Sequence, residues 1–265
     1  MDPHLPFFIF AGFVAQLIDG TLGMAYGVSC TTLLLFLGIS PAVASASVHT
    51  AEVFTTATSA FFHYKSGNVD TRFLKRLVIP GVLGGILGAY LLSSFPGEAI
   101  KPWIALYLLI MGVVILIKAV RKAQQAPRQT HLEALGFVGG FVDAVGGGGW
   151  GPVVTSTLVA RGNSPRFVIG SVNVAEFFVA AATSATFFLT LGSVYFTAIV
   201  GLVLGGIVAA PIAAAACKRV QPKPLMVAVA VLIICLSLRT IAQASGPFGA
   251  IKTAILTATS RISWQ

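Results

Sequence analysis

Charge is what this sequence has least of. Asp, Glu, Lys and Arg together make up 9% of the 265 residues, against about 25% in an ordinary soluble domain. That scarcity excludes a water-soluble globular fold. Cysteine is limited to Cys30, Cys217 and Cys235. All three sit in apolar segments without metal-ligand spacing, so they read as small packing residues rather than a disulfide framework or a zinc site. There is no P-loop, no His-Glu-x-x-His motif and no Gly-x-Ser-x-Gly elbow. The glycine run 146–149 does not follow a strand, so it is no dinucleotide fingerprint. No nucleophile–base pair stands out. Neither an enzyme nor a cofactor or metal site is expected. The opening MDPHLPFFIF also lacks the basic flank of a cleaved secretion signal.

Apolar runs of about 20 residues, long enough to cross ~30 Å of hydrocarbon, fill the chain instead, and 56% of residues are hydrophobic. The class is all-α, a polytopic membrane protein; a β-barrel would alternate in short segments. The net charge of +9 does not point to nucleic acid, because the basic residues cluster in short loops between the runs. HYKSGNVDTRFLKR, IKAVRKAQQAPRQTH, RGNSPR and CKRVQPK are basic, while LGIS and LTLGSV carry no charge. This is the positive-inside pattern of a multi-pass protein of the cytoplasmic (inner) membrane. The lipid bilayer is its expected partner, and a homo-oligomer is left open.

Full-length spans read at 42–63, 76–95, 101–120, 166–188, 193–216 and 222–241. Two further apolar regions, 5–37 and 131–161, are too long for one helix and are interrupted by glycine near their middles. Each reads as two short helices meeting at a turn. Residues 1–123 therefore form one unit, 124–130 a cytoplasmic linker, 131–241 a second unit and 242–265 a tail.

The two units are copies. A shift of 124 residues aligns 12–62 with 136–186 without a gap, and 17 of the 51 positions carry the same residue. GISPAVASASVHTAE against GNSPRFVIGSVNVAE shows the match directly. The loop after the first broken region is uncharged and reads as external; its counterpart, RGNSPR, is basic and reads as cytoplasmic. The copies are thus expected to lie in opposite orientations, the inverted-repeat architecture of many secondary transporters.

Only eight residues are acidic, and four of them, Asp19, Glu52, Asp143 and Glu176, lie in apolar segments as two repeat-related pairs. At mid-membrane each costs roughly 2.5–3.5 kcal/mol, about 10 for four, which marks them as candidates for function. Asp19 and Asp143 precede the breaks GTLGMAYG and AVGGGGWG. They suit capping of the following half-helix, and the glycines leave backbone N–H groups for an anion at its positive end. His49 precedes Glu52 on one helical face, as Asn173 precedes Glu176. A His–Glu pair binds and releases a proton near neutral pH, and polar glue between helices accounts for the same residues. Tyr26 and Trp150 match across the copies and either wall the site or belong to an aromatic belt. GVLGGILGAY and GLVLGGIVAA read as close helix packing.

On these features, a glycine-rich broken region followed by Ser-Pro and a buried Glu, twice over, the chain resembles the TauE/SafE family of sulfite exporters. The resemblance extends to about residue 241. It implies a small anionic substrate, sulfite, sulfoacetate or a related organosulfonate, exported with protons as the coupling ion. The substrate is then expected between the breaks, at Gly23, Tyr26, Gly27, Ser29 and Thr31 of the first copy. In the second copy the expected positions are Gly147, Gly148, Gly149, Trp150, Gly151, Thr155 and Ser156. Coupling falls to Asp19, His49, Glu52, Asp143, Asn173 and Glu176. On charge alone, four buried carboxylates with no buried basic residue suit a metal or sodium ion equally well.

Overall fold

A computed structural model describes residues 4–120, 130–192, 194–217 and 222–245. All regular structure among them is helical. The first broken region forms α1 (Leu5–Leu22) and α2 (Tyr26–Phe36), and the second forms α6 (Leu132–Gly146), a π-helical turn (Gly151–Thr155) and α7 (Ser156–Ala160). The expected spans are α3 (Pro41–Lys65), α4 (Thr71–Ser93), α5 (Gly97–Val120), α8 (Pro165–Leu191), α9 (Phe196–Ala216) and α10 (Pro222–Ser245). The linker before Thr130, the basic residues Arg121, Lys122, Arg128, Lys218 and Arg219, and the tail from 246 onward lie outside the described residues.

The duplicated Gly-x-Ser-Pro signal acts the same way twice. Gly38 (φ 91°) and Gly162 (φ 82°) end α2 and α7 in the left-handed region that glycine enters without a Cβ clash. Ser40 and Ser164 are then held extended before a proline. Pro41 and Pro165 start α3 and α8 at the one helical position that needs no N–H.

α3 and α8 pack antiparallel at the centre. Ser59 donates to Asn173 at 2.8 Å, Thr50 meets Ser184 at 2.9 Å, and Ser47 Oγ accepts from the Tyr195 N–H at 2.8 Å. Around them the main packing pairs recur under the repeat shift: α1 on α9 as α6 on α4, and α9 on α3 as α4 on α8. α5 packs on α10. The glycine stripes make these approaches close. A Cβ at Gly84 would run into the Phe137 carbonyl, and one at Gly205 into that of Ile9, the small-residue helix packing that membrane interiors favour.

Among the described residues six helices, α1, α4, α5, α8, α9 and α10, are long and apolar enough to cross a membrane. Their outer faces expose Ile79, Leu83, Tyr90, Trp103, Val208 and Leu232. At 25 residues, α3 reaches about 37 Å but is less apolar. Its polar side chains Ser45, His49, Glu52, Thr55 and Ser59 are all buried against other helices.

Two of the basic loops, 65–76 and 161–166, meet at one end of the molecule. Arg166, opening α8, donates to Asn68 Oδ1 at 2.7 Å and to the Gly67 carbonyl at 2.9 Å. Asp70 caps α4 by accepting from the Arg72 N–H at 2.9 Å, and the Arg72 guanidinium holds its carboxyl below the usual range. Arg76 reaches Glu133 of α6 at 2.6 and 2.9 Å. A cavity of about 520 Å³ opens at this end, with Arg76, His131 and Asn163 on its wall; none of the break residues lines it.

Candidate functional site

Each helix break turns on one glycine and one aspartate. Gly23 (φ 67°) and Gly147 (φ 65°) close α1 and α6 in the left-handed conformation, donating their N–H groups to the carbonyls of Asp19 and Asp143. Both aspartate side chains then reach forward across the break. Asp143 Oδ1 accepts from the N–H groups of Gly149 at 2.7 Å and Trp150 at 2.9 Å. Asp19 Oδ1 accepts only from Tyr26, at 3.4 Å. The second break also gives its Gly148 N–H to the Asp143 carbonyl at 2.9 Å. The expectation that the second copy's glycine amides stand open to an anion is therefore corrected: Asp143 itself occupies that position.

The two breaks lie against each other. Gly148, at φ 151°, abuts Gly27 and Val28, and a Cβ at Gly27 would sit 2.7 Å from the Gly148 Cα and 2.9 Å from Glu52 Oε1. Gly151 abuts Gly23 and Met24. The contacts are reciprocal: Thr31 of the first copy packs on Gly147, and Thr155 of the second packs on Gly23. Carbonyls freed at the end of α6 are taken by hydroxyls. Ala144 accepts from Ser45 at 2.7 Å, Gly148 from Tyr107 at 2.7 Å, and Gly147 from Thr31.

Above this junction sits a buried cluster. His49 Nε2 lies 3.2 Å from Asp143 Oδ2 and 3.9 Å from Glu52 Oε2, with all three side chains 2% exposed or less. His49 Nδ1 is 2.8 Å from the Ser45 carbonyl. A carbonyl only accepts, so Nδ1 carries a proton and Nε2 faces the carboxylates. The Nε2–Asp143 contact then requires one further proton, on Nε2 or on the carboxyl. The same three residues bring one ligand atom each within 4.8 Å of one another, with the histidine oriented through its other nitrogen as in many metal sites. No spacing rule finds this group, because Asp143 comes from the other repeat.

The repeat-related cluster combines Asn173 and Glu176 with Asp19. Asn173 is satisfied by Ser59 and by the Ile169 carbonyl at 3.0 Å. Asp19, Glu52, Asp143 and Glu176 are all buried. Among the described residues, both oxygens of Glu52, Asp19 Oδ2 and the hydroxyls of Ser29 and Thr155 have no hydrogen-bond partner. Thr31 and Ser156 are committed to backbone carbonyls. Both aromatic residues anchor half-helices. Trp150 Nε1 donates to Val172 at 3.2 Å with its ring against Gly81, and the Tyr26 hydroxyl points to the Leu202 carbonyl.

Three contributors escape the sequence reading. Gln16 is buried on α1 with both amide atoms unpartnered among the described residues. Tyr107 closes over the second break from α5. Lys118 is no linker residue: it belongs to the last turn of α5, half-buried, and its ammonium donates to the Pro152 carbonyl at 3.0 Å and to Ser156. Lys118 thus brings a half-buried cation beside the segment that follows the second break.

The family model described as sulfite exporter TauE/SafE matches residues 8–240. The chain is 48% identical over 244 residues to the probable membrane transporter protein YtnM of Bacillus subtilis (strain 168), covering 88% of this chain and 81% of that protein. It is 24% identical over 248 residues to the probable membrane transporter protein YjnA of the same bacterium, covering 86% and 96%. Over 196 residues it is 26% identical to the probable membrane transporter protein ORF9 of Sinorhizobium sp, covering 72% and 69%. No solved structure matches the chain. A model matched across both repeats and a relative at 48% identity lead to one conclusion: this chain belongs to the TauE/SafE sulfite exporter family, multi-pass membrane transporters rather than enzymes.

Proposed function

We propose that this transporter moves small sulfur-containing anions, sulfite, sulfoacetate or a related organosulfonate, out across the cytoplasmic membrane together with protons. The substrate binds where the two breaks meet, and the two repeats lie in opposite orientations. The observation that carries the reading is Asp143 Oδ1 on the amides of Gly149 and Trp150, a carboxylate standing where a substrate anion would. Protonation weakens that carboxylate as an acceptor and lets the substrate compete for the same amides. An anion also enters a site of four carboxylates only when protons neutralise some of them. Proton and anion therefore travel together. A dianion leaving with one proton carries one net negative charge outward, favoured by roughly 2.3 kcal/mol per 100 mV in an inside-negative cell.

His49, Glu52 and Asp143 hold and pass the coupling proton, and Glu176 with Asn173 and Asp19 forms the counterpart in the other repeat. Antiparallel α3 and α8, carrying these matched residues, support the opposed orientation. The test is flux of radiolabelled sulfite in proteoliposomes under an imposed pH gradient. Gradient-driven flux in the native chain, lost in Glu52→Gln/Glu176→Gln, is the expected result; flux indifferent to the gradient would remove the coupling. A second reading, a metal or sodium ion as cargo, is favoured by the convergence of His49, Glu52 and Asp143. It predicts stabilisation by that ion, abolished in Asp143→Asn.

A further inference from the structure

We infer that Lys118 is the charge partner of the transported anion at the second break, and thereby the residue that makes this site select anions over cations. The inference rests on the anion reading above. It starts from an imbalance of charge. The described ion pairs join Arg72 to Asp70, Arg76 to Glu133, and His49 to Glu52 and Asp143. None of them includes Lys118. Its ammonium is half-buried in a membrane helix and donates to two neutral oxygens, the Pro152 carbonyl and Ser156 Oγ. Among the described residues no carboxylate pairs with it, so its charge is left without an ionic partner.

Both of its partners belong to the re-entrant segment that carries the second break. The π-helical turn Gly151–Thr155 leads directly into Ser156, and π turns concentrate at functional positions. Thr155, next in the chain to Ser156, presents a fully buried hydroxyl that has no partner among the described residues. Thr155 also packs against Gly23 of the opposite break. A cation, its bound hydroxyl and a free hydroxyl thus line the segment between the last turn of α5 and the junction of the breaks. That combination recognises a compact oxyanion: the ammonium supplies charge and the free Thr155 hydroxyl donates a hydrogen bond. A metal or sodium ion meets a fixed positive charge at the same place.

The experiment is initial-rate sulfite flux against sulfite concentration in proteoliposomes, for the native chain, Lys118→Gln and Lys118→Arg. Loss of the charge is expected to raise KM at least tenfold while the maximal rate falls less, with Lys118→Arg returning KM to within about threefold of native. A lysine that only braces the π turn would lower the amount of folded protein and leave KM unchanged. Native flux with an unaltered KM in Lys118→Gln overturns this inference alone; no sulfite flux by the native chain overturns it together with the anion reading. Should Lys118→Gln fail to fold, amine-acylating footprinting of the native chain decides. Sulfite should slow modification of Lys118 at least fivefold relative to Lys65 and Lys101, and equal modification with and without sulfite contradicts the assignment.

Discussion

The two helix breaks share an ancestor and a plan, yet one is tied down and the other is loose. In the second, Asp143 holds two amides at 2.7 and 2.9 Å, and its other oxygen faces His49. In the first, Asp19 holds one amide at 3.4 Å and its Oδ2 has no partner among the described residues. The backbone differs in step. The second break places positive φ on two glycines, Gly147 and Gly148, whereas the first places it on Gly23 and on Ala25, at 95°. The helical residue beside the glutamate differs as well, His49 against Asn173. A duplicated frame thus carries a histidine beside a tightly held aspartate in one half and a satisfied asparagine beside a loosely held aspartate in the other.

Substitutions that exchange features between the breaks probe that difference. The largest effect is expected at Gly148, where an added Cβ would strike Gly27 and Val28 in a conformation that L residues avoid. Gly148→Ala should cost on the order of 4 kcal/mol from strain and overpacking combined, read as loss of monodisperse protein or a sharply lowered Tm in detergent. Next comes the aspartate pair. Asp143→Asn removes a charge that serves two amides and His49, and should destabilise by about 2–3 kcal/mol, while Asp19→Asn should cost less than about 1. Equal losses would contradict the tied-and-loose description.

His49→Asn makes the two copies alike at that position. With one pH unit imposed, one coupled proton is worth about 1.36 kcal/mol, a tenfold accumulation ratio; the variant should bring the ratio close to one while flux down a sulfite gradient persists. The smallest effect is expected at Ala25. Ala25→Gly relieves an unfavourable backbone conformation costing roughly 1–2 kcal/mol and forfeits about half of that in chain entropy, so thermal unfolding should shift upward slightly. A marked loss there would mean that the Ala25 methyl does more than fill space.

Much of this was legible before the fold. Hydropathy set out five of the six candidate spans, α1 standing in place of 42–63, Ser-Pro after glycine marked the starts of α3 and α8, and the 124-residue shift paired Asp19 with Asp143 and Glu52 with Glu176. What stayed hidden was anything requiring two repeats at once. The meeting of His49 with Asp143 depends on 94 residues of intervening chain. Lys118 sat beside a basic linker and read as loop, because its identity says nothing of whether a long side chain turns inward. The glycine run offered two readings, amides open to an anion and amides capped by the adjacent aspartate, and the structure shows Asp143 on those of Gly149 and Trp150.

The proposed function has sulfite and a proton crossing together through the junction of the breaks. It is tested most directly by uptake of radiolabelled sulfite into proteoliposomes with and without a pH gradient, for the native chain and for Glu52→Gln/Glu176→Gln. The account predicts gradient-driven accumulation by the native chain and none by the double variant, in protein of equal Tm. Accumulation of the same size in both, or native uptake that ignores the gradient, would contradict it.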